Sequence, residues 1–175
     1  MSQPLPITVP YTVLVDSREQ APYTFEGLTG NASQGSRLLN ITTRWAGLKT
    51  GDYSIDGFED LVCIERKSKS DFYGTLGAGR DRFDREHQRM SRMEFAAVVI
   101  EASWASILSD APKWSTLSPR TILGSALAYE RDYGVHYFPA EDRRMAEIVT
   151  FRMLDLFFRK QAKRKKKELT NDRSS

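Results

Sequence analysis

Asp52, Glu65 and Lys67 are the residues whose types and spacing could do chemistry. They lie in residues 51–71, GDYSIDGFEDLVCIERKSKSD, which read as two short strands over 52–55 and 61–66. The loop between them opens with Asp56-Gly57, a strong local turn signal. A symmetric hairpin sets Tyr53 opposite Ile64 and Asp52 opposite Glu65. Strand alternation then gathers Asp52, Glu65 and Lys67 on one face and turns Val62, Ile64 and Tyr53 toward a core. Two carboxylates that close repel unless a cation joins them, and hard oxygen donors suit Mg2+ or Mn2+. A lysine beside such a cation can orient a water or stabilise charge on a phosphate under attack. An ordinary surface hairpin with a Glu/Lys pair fits an isolated D…ExK equally well, so spacing alone leaves both readings open.

The elements around the hairpin have to position it. Residues 11–15 form a β-prone run that delivers Asp16, with Arg18 and Glu19 just after it, and residues 39–45 read as a second strand. Ser68 followed by Asp71 resembles a capping box, so a short helix runs to about Leu76 and Asp71 serves as its cap, ahead of any role as a metal ligand. A helix over 80–94 carries Arg82, Arg85, Arg89 and Arg92 in one stripe beside an apolar stripe of Phe83, Met90 and Met93. Pairs such as Asp81–Arg85 and Arg82–Glu86 would make it a plain solvated helix; its place directly after the hairpin favours phosphate contact. FAAVVI at 95–100 has the pattern of a strand covered on both faces. Ser103 to Leu108 reads as helical, residues 112–117 with Trp114 as a loop, and Ser118-Pro119 starts a helix that Gly134 ends before a strand at 135–138. The last helix, 141–160, has one apolar stripe of Met145, Val149, Met153 and Leu156 and another of Phe151, Leu154 and Phe158. Burial in a larger core and a subunit interface both account for two stripes.

The length suits one domain. Residues 1–10, with three prolines, read as a flexible arm, residues 11–158 as the domain, and residues 159–175 as a basic, disordered tail. That tail holds eight Lys/Arg against Glu168 and Asp172, a charge of +6, so within a net charge of +3 the body is left at −3. Attraction to nucleic acid must then come from local patches and from tail residues such as Lys163, Arg164 and Lys165. The polar loop 27–36 has no motif and could cover a substrate or do nothing. A lone cysteine, Cys63, between apolar residues fits a packed thiol in a reducing compartment, and His87 and His136 have no zinc-type spacing. With no apolar run of membrane length and no signal-peptide core, a cytoplasmic location is expected.

Gly51-Asp52-Tyr53 followed by Glu65-Arg66-Lys67-x-x-x-Asp71 resembles the GD…ERKxxxD signature of XPF-type endonucleases, which include the archaeal Hef nuclease. Val15-Asp16-Ser17-Arg18-Glu19 is similar to the same family's VDxRE, and the similarity continues through Gly79-Arg80 and the strand that ends at Glu101. It is most similar to the stand-alone version of this domain in bacteria and phages. The resemblance implies a restriction-endonuclease-like α/β domain, a central mixed sheet flanked by helices, hydrolysing DNA phosphodiesters with Mg2+, or Mn2+ in its place. Asp16, Asp52 and Glu65 would hold the metal, Lys67 would position or activate the water, and Glu19 would assist from outside. Arg18, Arg66 and Arg80 would orient the site or hold phosphates, and the stripe Arg82, Arg85, Arg89 and Arg92 would contact DNA. It also implies a homodimer through the last helix. Asp84 stands where the family has a glutamine, with Gln88 one turn later, so that glutamine is not carried over. The chain has no room for a helix-hairpin-helix domain or a helicase, so targeting to flap, fork or branched DNA would fall to the tail or a partner. The other reading is a catalytically inactive DNA-binding or scaffold subunit.

Overall fold

The computed structural model describes residues 4–31, 35 and 37–171. Six strands form one mixed sheet: β1 (Ile7–Asp16), β2 (Leu39–Ala46), β3 (Tyr53–Ile55), β4 (Val62–Lys67), β5 (Phe95–Ile100) and β6 (His136–Pro139). Their order across the sheet is β2-β1-β3-β4-β5-β6. β1 with β2, β4 with β5 and β5 with β6 are parallel, and β3 is antiparallel to both its neighbours. Helices α1 (Lys69–Leu76), α2 (Arg80–Met90), α3 (Trp104–Ser109) and α4 (Pro119–Tyr133) follow the chain between β4 and β6, and α5 (Arg143–Asn171) closes it.

Alternation along β4 and β5 divides the core in two. Val62 and Ile64, with Ala97 and Val99, pack with Phe151, Leu154 and Phe157 of α5. Cys63, with Ala96, Val98 and Ile100, packs with Phe72, Phe83, Ile107, Ile122 and Ala126 of α1–α4. The sheet is therefore covered on both faces, as FAAVVI requires. Local signals set several boundaries. Ser68, Ser103 and Ser118 each accept an N–H from the third residue on, and Gly134 ends α4 in the left-handed conformation, at φ 66°.

Three boundaries differ from expectation. β1 begins at Ile7, so four of the residues assigned to the arm are strand, because Ile7 and Thr8 pair with Leu39 and Asn40. The stems of the polar loop are pinned to α5, where Arg144 donates to Glu26 O and Arg152 to Thr29 O; residues 32–34 and 36 lie outside the described residues. The tail is helical as far as Asn171. Lys, Arg, Gln and Ala are good helix formers, and Glu94 ties Lys160, Gln161 and Arg164 at 2.9, 2.6 and 2.7 Å. Residues 172–175 lie outside the described residues. Among the described residues no helix is long and apolar enough to cross a membrane.

Candidate active site

The hairpin forms in the register that the turn demands, Tyr53 opposite Ile64, and the Asp52 N–H donates to Ile64 O. Gly51 makes this approach possible. It holds φ at +75°, and a Cβ there would lie 2.8 Å from Cys63 Cβ. Asp52 and Glu65 thus meet at the open end of β3 and β4, where a cleft of about 610 Å3 is lined also by Arg18, Lys67, Arg82 and Glu86.

The electrostatics of this end are strained. Burial raises the Asp52 carboxyl well above the usual carboxylate range, and Glu65 pushes it further; the Arg66 N–H, 2.7 Å from Oδ2, only partly offsets this. Glu86 on α2 is raised for the same two reasons, burial and then Glu65. Burial alone would lower Lys67, but its ion pair with Glu65 outweighs that and keeps it an ammonium above its ordinary value. Its Nζ also stands 5.5 Å over the Phe83 ring. Lys67 stands among three carboxyls, Asp52, Glu65 and Glu86, that repel one another, the chemistry a hard divalent cation relieves. Mg2+ needs only one or two protein carboxylates, its other positions going to water and phosphate.

The model of the ERCC4 domain matches residues 15–152. The chain belongs to the ERCC4 domain family. XPF from Aeropyrum pernix is similar in fold, 21% identical at a TM-score of 0.60 over 83% of this chain and 60% of that one. The same protein in complex with DNA matches at 22% identity and a TM-score of 0.60, over 85% of this chain and 66% of that one. The chain thus spans less than two thirds of those structures' own length, and the likeness establishes the XPF nuclease-domain fold. No curated protein matches.

Within this ERCC4 domain the expected site residues separate into three groups. Asp52, Glu65 and Lys67 converge, with Arg18, Arg82 and Arg89 on the cleft wall. Asp71 also lines the cleft but is not itself the cap of α1: Ser68 is, accepting the Asp71 N–H and donating its hydroxyl to Asp71 Oδ2 at 2.7 Å.

Asp16, Arg66 and Arg80 have other tasks. The buried Asp16 carboxylate accepts the Arg18 N–H, the Arg18 guanidinium at 2.7 and 3.0 Å, and the Leu48 N–H at 2.8 Å. Burial would raise it, but these donors hold it below the usual range. Asp16 lines the same cleft as Asp52 and Glu65 with its oxygens occupied by these donors, and among the described residues no group of three or more His, Cys, Asp or Glu is placed to hold a metal ion. Arg66 points to the opposite face of β4 from Glu65 and Lys67, as alternation requires. It binds Glu101 at 2.8 and 3.0 Å and Glu19 at 3.5 Å, while still lining the cleft. Arg143 of α5 joins it on Glu101 at 2.7 Å, and Glu19 also accepts the Ala21 N–H at 2.6 Å. Arg80 turns to α4 and donates to Ser125 Oγ at 2.6 Å.

Arg85 and Arg92 lie off the cleft wall, Arg92 beyond the end of α2, so the expected stripe reaches the cleft only through Arg82 and Arg89. Glu86 turns toward Glu65 rather than Arg82. Asp84 accepts the Tyr133 hydroxyl at 2.7 Å, away from the cleft. His87 is buried between Phe83 O and the Tyr137 hydroxyl, a structural residue. Replacing Arg66 with Ala should remove about 3 kcal/mol of stability, the low end for breaking a buried pair, because the Arg66 and Glu101 side chains keep only 11% and 10% of their surface exposed. Arg66→Lys should recover less than half of that, since one ammonium cannot reproduce the fork on Glu101. Urea unfolding of both variants checks it; equal stability of Arg66→Ala and wild type would remove the role of this tie.

Proposed function

We propose that this chain is a divalent-metal-dependent DNA endonuclease, cutting flap, fork or branched DNA in repair, recombination or phage DNA metabolism. The observation that carries this reading is the convergence of Asp52 and Glu65, two carboxyls that repel each other, in an open cleft with an arginine wall. Structural likeness to XPF from Aeropyrum pernix, described in complex with DNA, supports the same substrate class. Asp52 and Glu65 would hold Mg2+ or Mn2+. When bound, the metal supplies Lewis-acid polarisation of the phosphate and a more acidic water.

The chain's own residues do the rest. Despite burial, the ion pair with Glu65 raises Lys67 above its ordinary value, which favours a hydrogen-bond donor. It donates hydrogen bonds, positioning the water or holding a phosphate oxygen as charge builds there. Glu65 fixes it in place through their ion pair. Arg18, with an exposed side chain clamped on Asp16, and Arg82 and Arg89 of α2 attract the backbone of the substrate. The deciding experiment is a panel of flap, fork, nicked, duplex and single-stranded DNA with Mg2+, Mn2+ and EDTA. Binding without cleavage under every condition would replace this reading with that of an inactive DNA-binding subunit.

Assembly through α5 is part of the proposal, on one of the two apolar stripes its sequence carries. Phe151 is 1% exposed and belongs to the core, whereas Met145 and Leu156 are 44% and 68% exposed beside the half-buried Val149 and Met153. A homodimer seated on that stripe should bury more than ~1,000 Å2. Light scattering at tens of micromolar should give a dimer mass, and Leu156→Glu a folded monomer whose Tm no longer depends on concentration. A monomer mass for the unaltered chain would end this part of the proposal.

A further inference from the structure

A second cavity, of about 390 Å3, lies beside the cleft among α1, α2 and the loop before α4. Lys67, Asp71, Arg82 and Glu86 line both, so the two make one continuous depression. Its outer wall is Trp114, which is 59% exposed. The indole is not on a loose strand of chain. Ser115 N–H donates to Pro112 O at 2.9 Å, closing a turn with Lys113 and Trp114 at its corner, and Leu117 N–H donates back to Ser115 Oγ. Lys69 of α1 reaches across to Asp110 at 2.7 Å and to Ser106, holding the start of this loop against α1. The edge of the ring rests on α1 at Gly74, where a Cβ would sit 3.6 Å from the indole. An aromatic plate is therefore fixed at one end of the depression, with an arginine at the junction with the cleft.

We propose that this cavity takes one unpaired nucleobase of the strand being cut, stacked on Trp114, while the neighbouring phosphate occupies the cleft. The inference rests on the nuclease reading and deepens it by naming the strand state that the site requires. A base inside a duplex has both faces covered, so only a single-stranded or extruded base can offer one to the indole. Arg82, on the wall common to both cavities, is placed to neutralise the phosphate that links the base to the scissile bond. Ser70 and Thr75 supply hydroxyls that donate or accept, which suits any base and predicts stacking without sequence preference. The volume falls in the range of small-ligand sites, roughly 300–1,000 Å3. The site thus selects a strand that is unpaired next to the cut, as at a fork or flap.

The test is equilibrium binding of the full chain to fork DNA in EDTA, with a single abasic position moved along the unpaired arm. Stacking on an aromatic residue typically contributes 1–3 kcal/mol per base, so the wild type should lose about tenfold in affinity when the abasic position reaches one particular step. Trp114→Ala should lose about tenfold on intact DNA and show no further loss at that step, and Trp114→Phe should restore most of both. Because Trp114 is exposed, its Tm should be unchanged in either variant. A flat abasic scan with tight wild-type binding, or unchanged affinity of Trp114→Ala, would overturn the base subsite alone. No binding of any DNA would overturn the nuclease reading together with it.

Discussion

Asp52→Asn and Glu65→Gln should each reduce cleavage about a thousandfold or more while leaving the fold intact. A neutral amide is a poor ligand for a hard cation, and Asp52 and Glu65 are the two acids that face each other across the hairpin at the cleft. The thermal behaviour should separate this from simple damage. In the metal-free protein Asp52 has its folded-state pKa raised by burial and by Glu65. A raised carboxyl gives its full stability at low pH and loses it as pH rises from the ordinary carboxylate range toward the raised value. At neutral pH, Asp52→Asn therefore removes a penalty on the order of 1–2 kcal/mol and should raise Tm in EDTA by a few degrees. The wild type should gain stability from Mg2+ or Mn2+, and the variant should not. An Asp52→Asn protein that cuts at the wild-type rate, or that is still stabilised by the cation as strongly, would remove the metal assignment. Lys67→Ala should differ again, keeping the cation's stabilising effect while losing most of the rate.

The parts of this site that were legible in the sequence are those fixed by strand alternation and turn chemistry. Asp56-Gly57 sets the hairpin register, and the register brings Asp52 to Glu65. The same rule also assigns Arg66 to the other face, yet the ERK motif invites reading all three residues as one site. What Arg66 meets there, Glu101 and Glu19, comes from β5 and from the turn after β1, and no local pattern names such partners. Glu86 was hidden for a related reason. Its spacing from Arg82 fits a helical surface pair, and only the seating of α2 across the mouth of the hairpin turns it toward Glu65. A signal was present in the 82-86-89 spacing, which is one helix face. At Asp16 the motif does not state the local partner: Arg18, two residues on, closes around it. The basic end of α5 reversed an argument from charge, because helix propensity and the clamp on Glu94 outweigh repulsion among its lysines.

That last point separates two basic surfaces that act at different places. Arg82 and Arg89 stand on the cleft wall, beside the C-terminal end of β4. Lys163 and Lys165 flank Arg164, one of the residues clamped by Glu94, which precedes β5 and so lies at the opposite end of the sheet. β5 is six residues long, which puts the two surfaces about 20 Å apart or more. Reversing Arg82 and Arg89 to Glu should lower kcat/KM by two to three orders of magnitude even at low salt, because the phosphate is repelled where it must be held. Replacing Lys163, Lys165, Lys166 and Lys167 with Gln keeps a good helix former at each position and should leave cutting of a short substrate unchanged. On DNA long enough to reach both surfaces, it should weaken binding about tenfold near 0.1 M salt and flatten the salt dependence by up to about one log unit per phosphate released. Affinity against salt, measured on DNA of about 8 and about 30 base pairs beside single-turnover rates, compares the two variants directly. Equal salt slopes for the wild type and the glutamine variant on the long DNA would show that the α5 end is not a phosphate-binding surface. Wild-type cleavage by the Arg82/Arg89 variant would show that the substrate does not pass along α2.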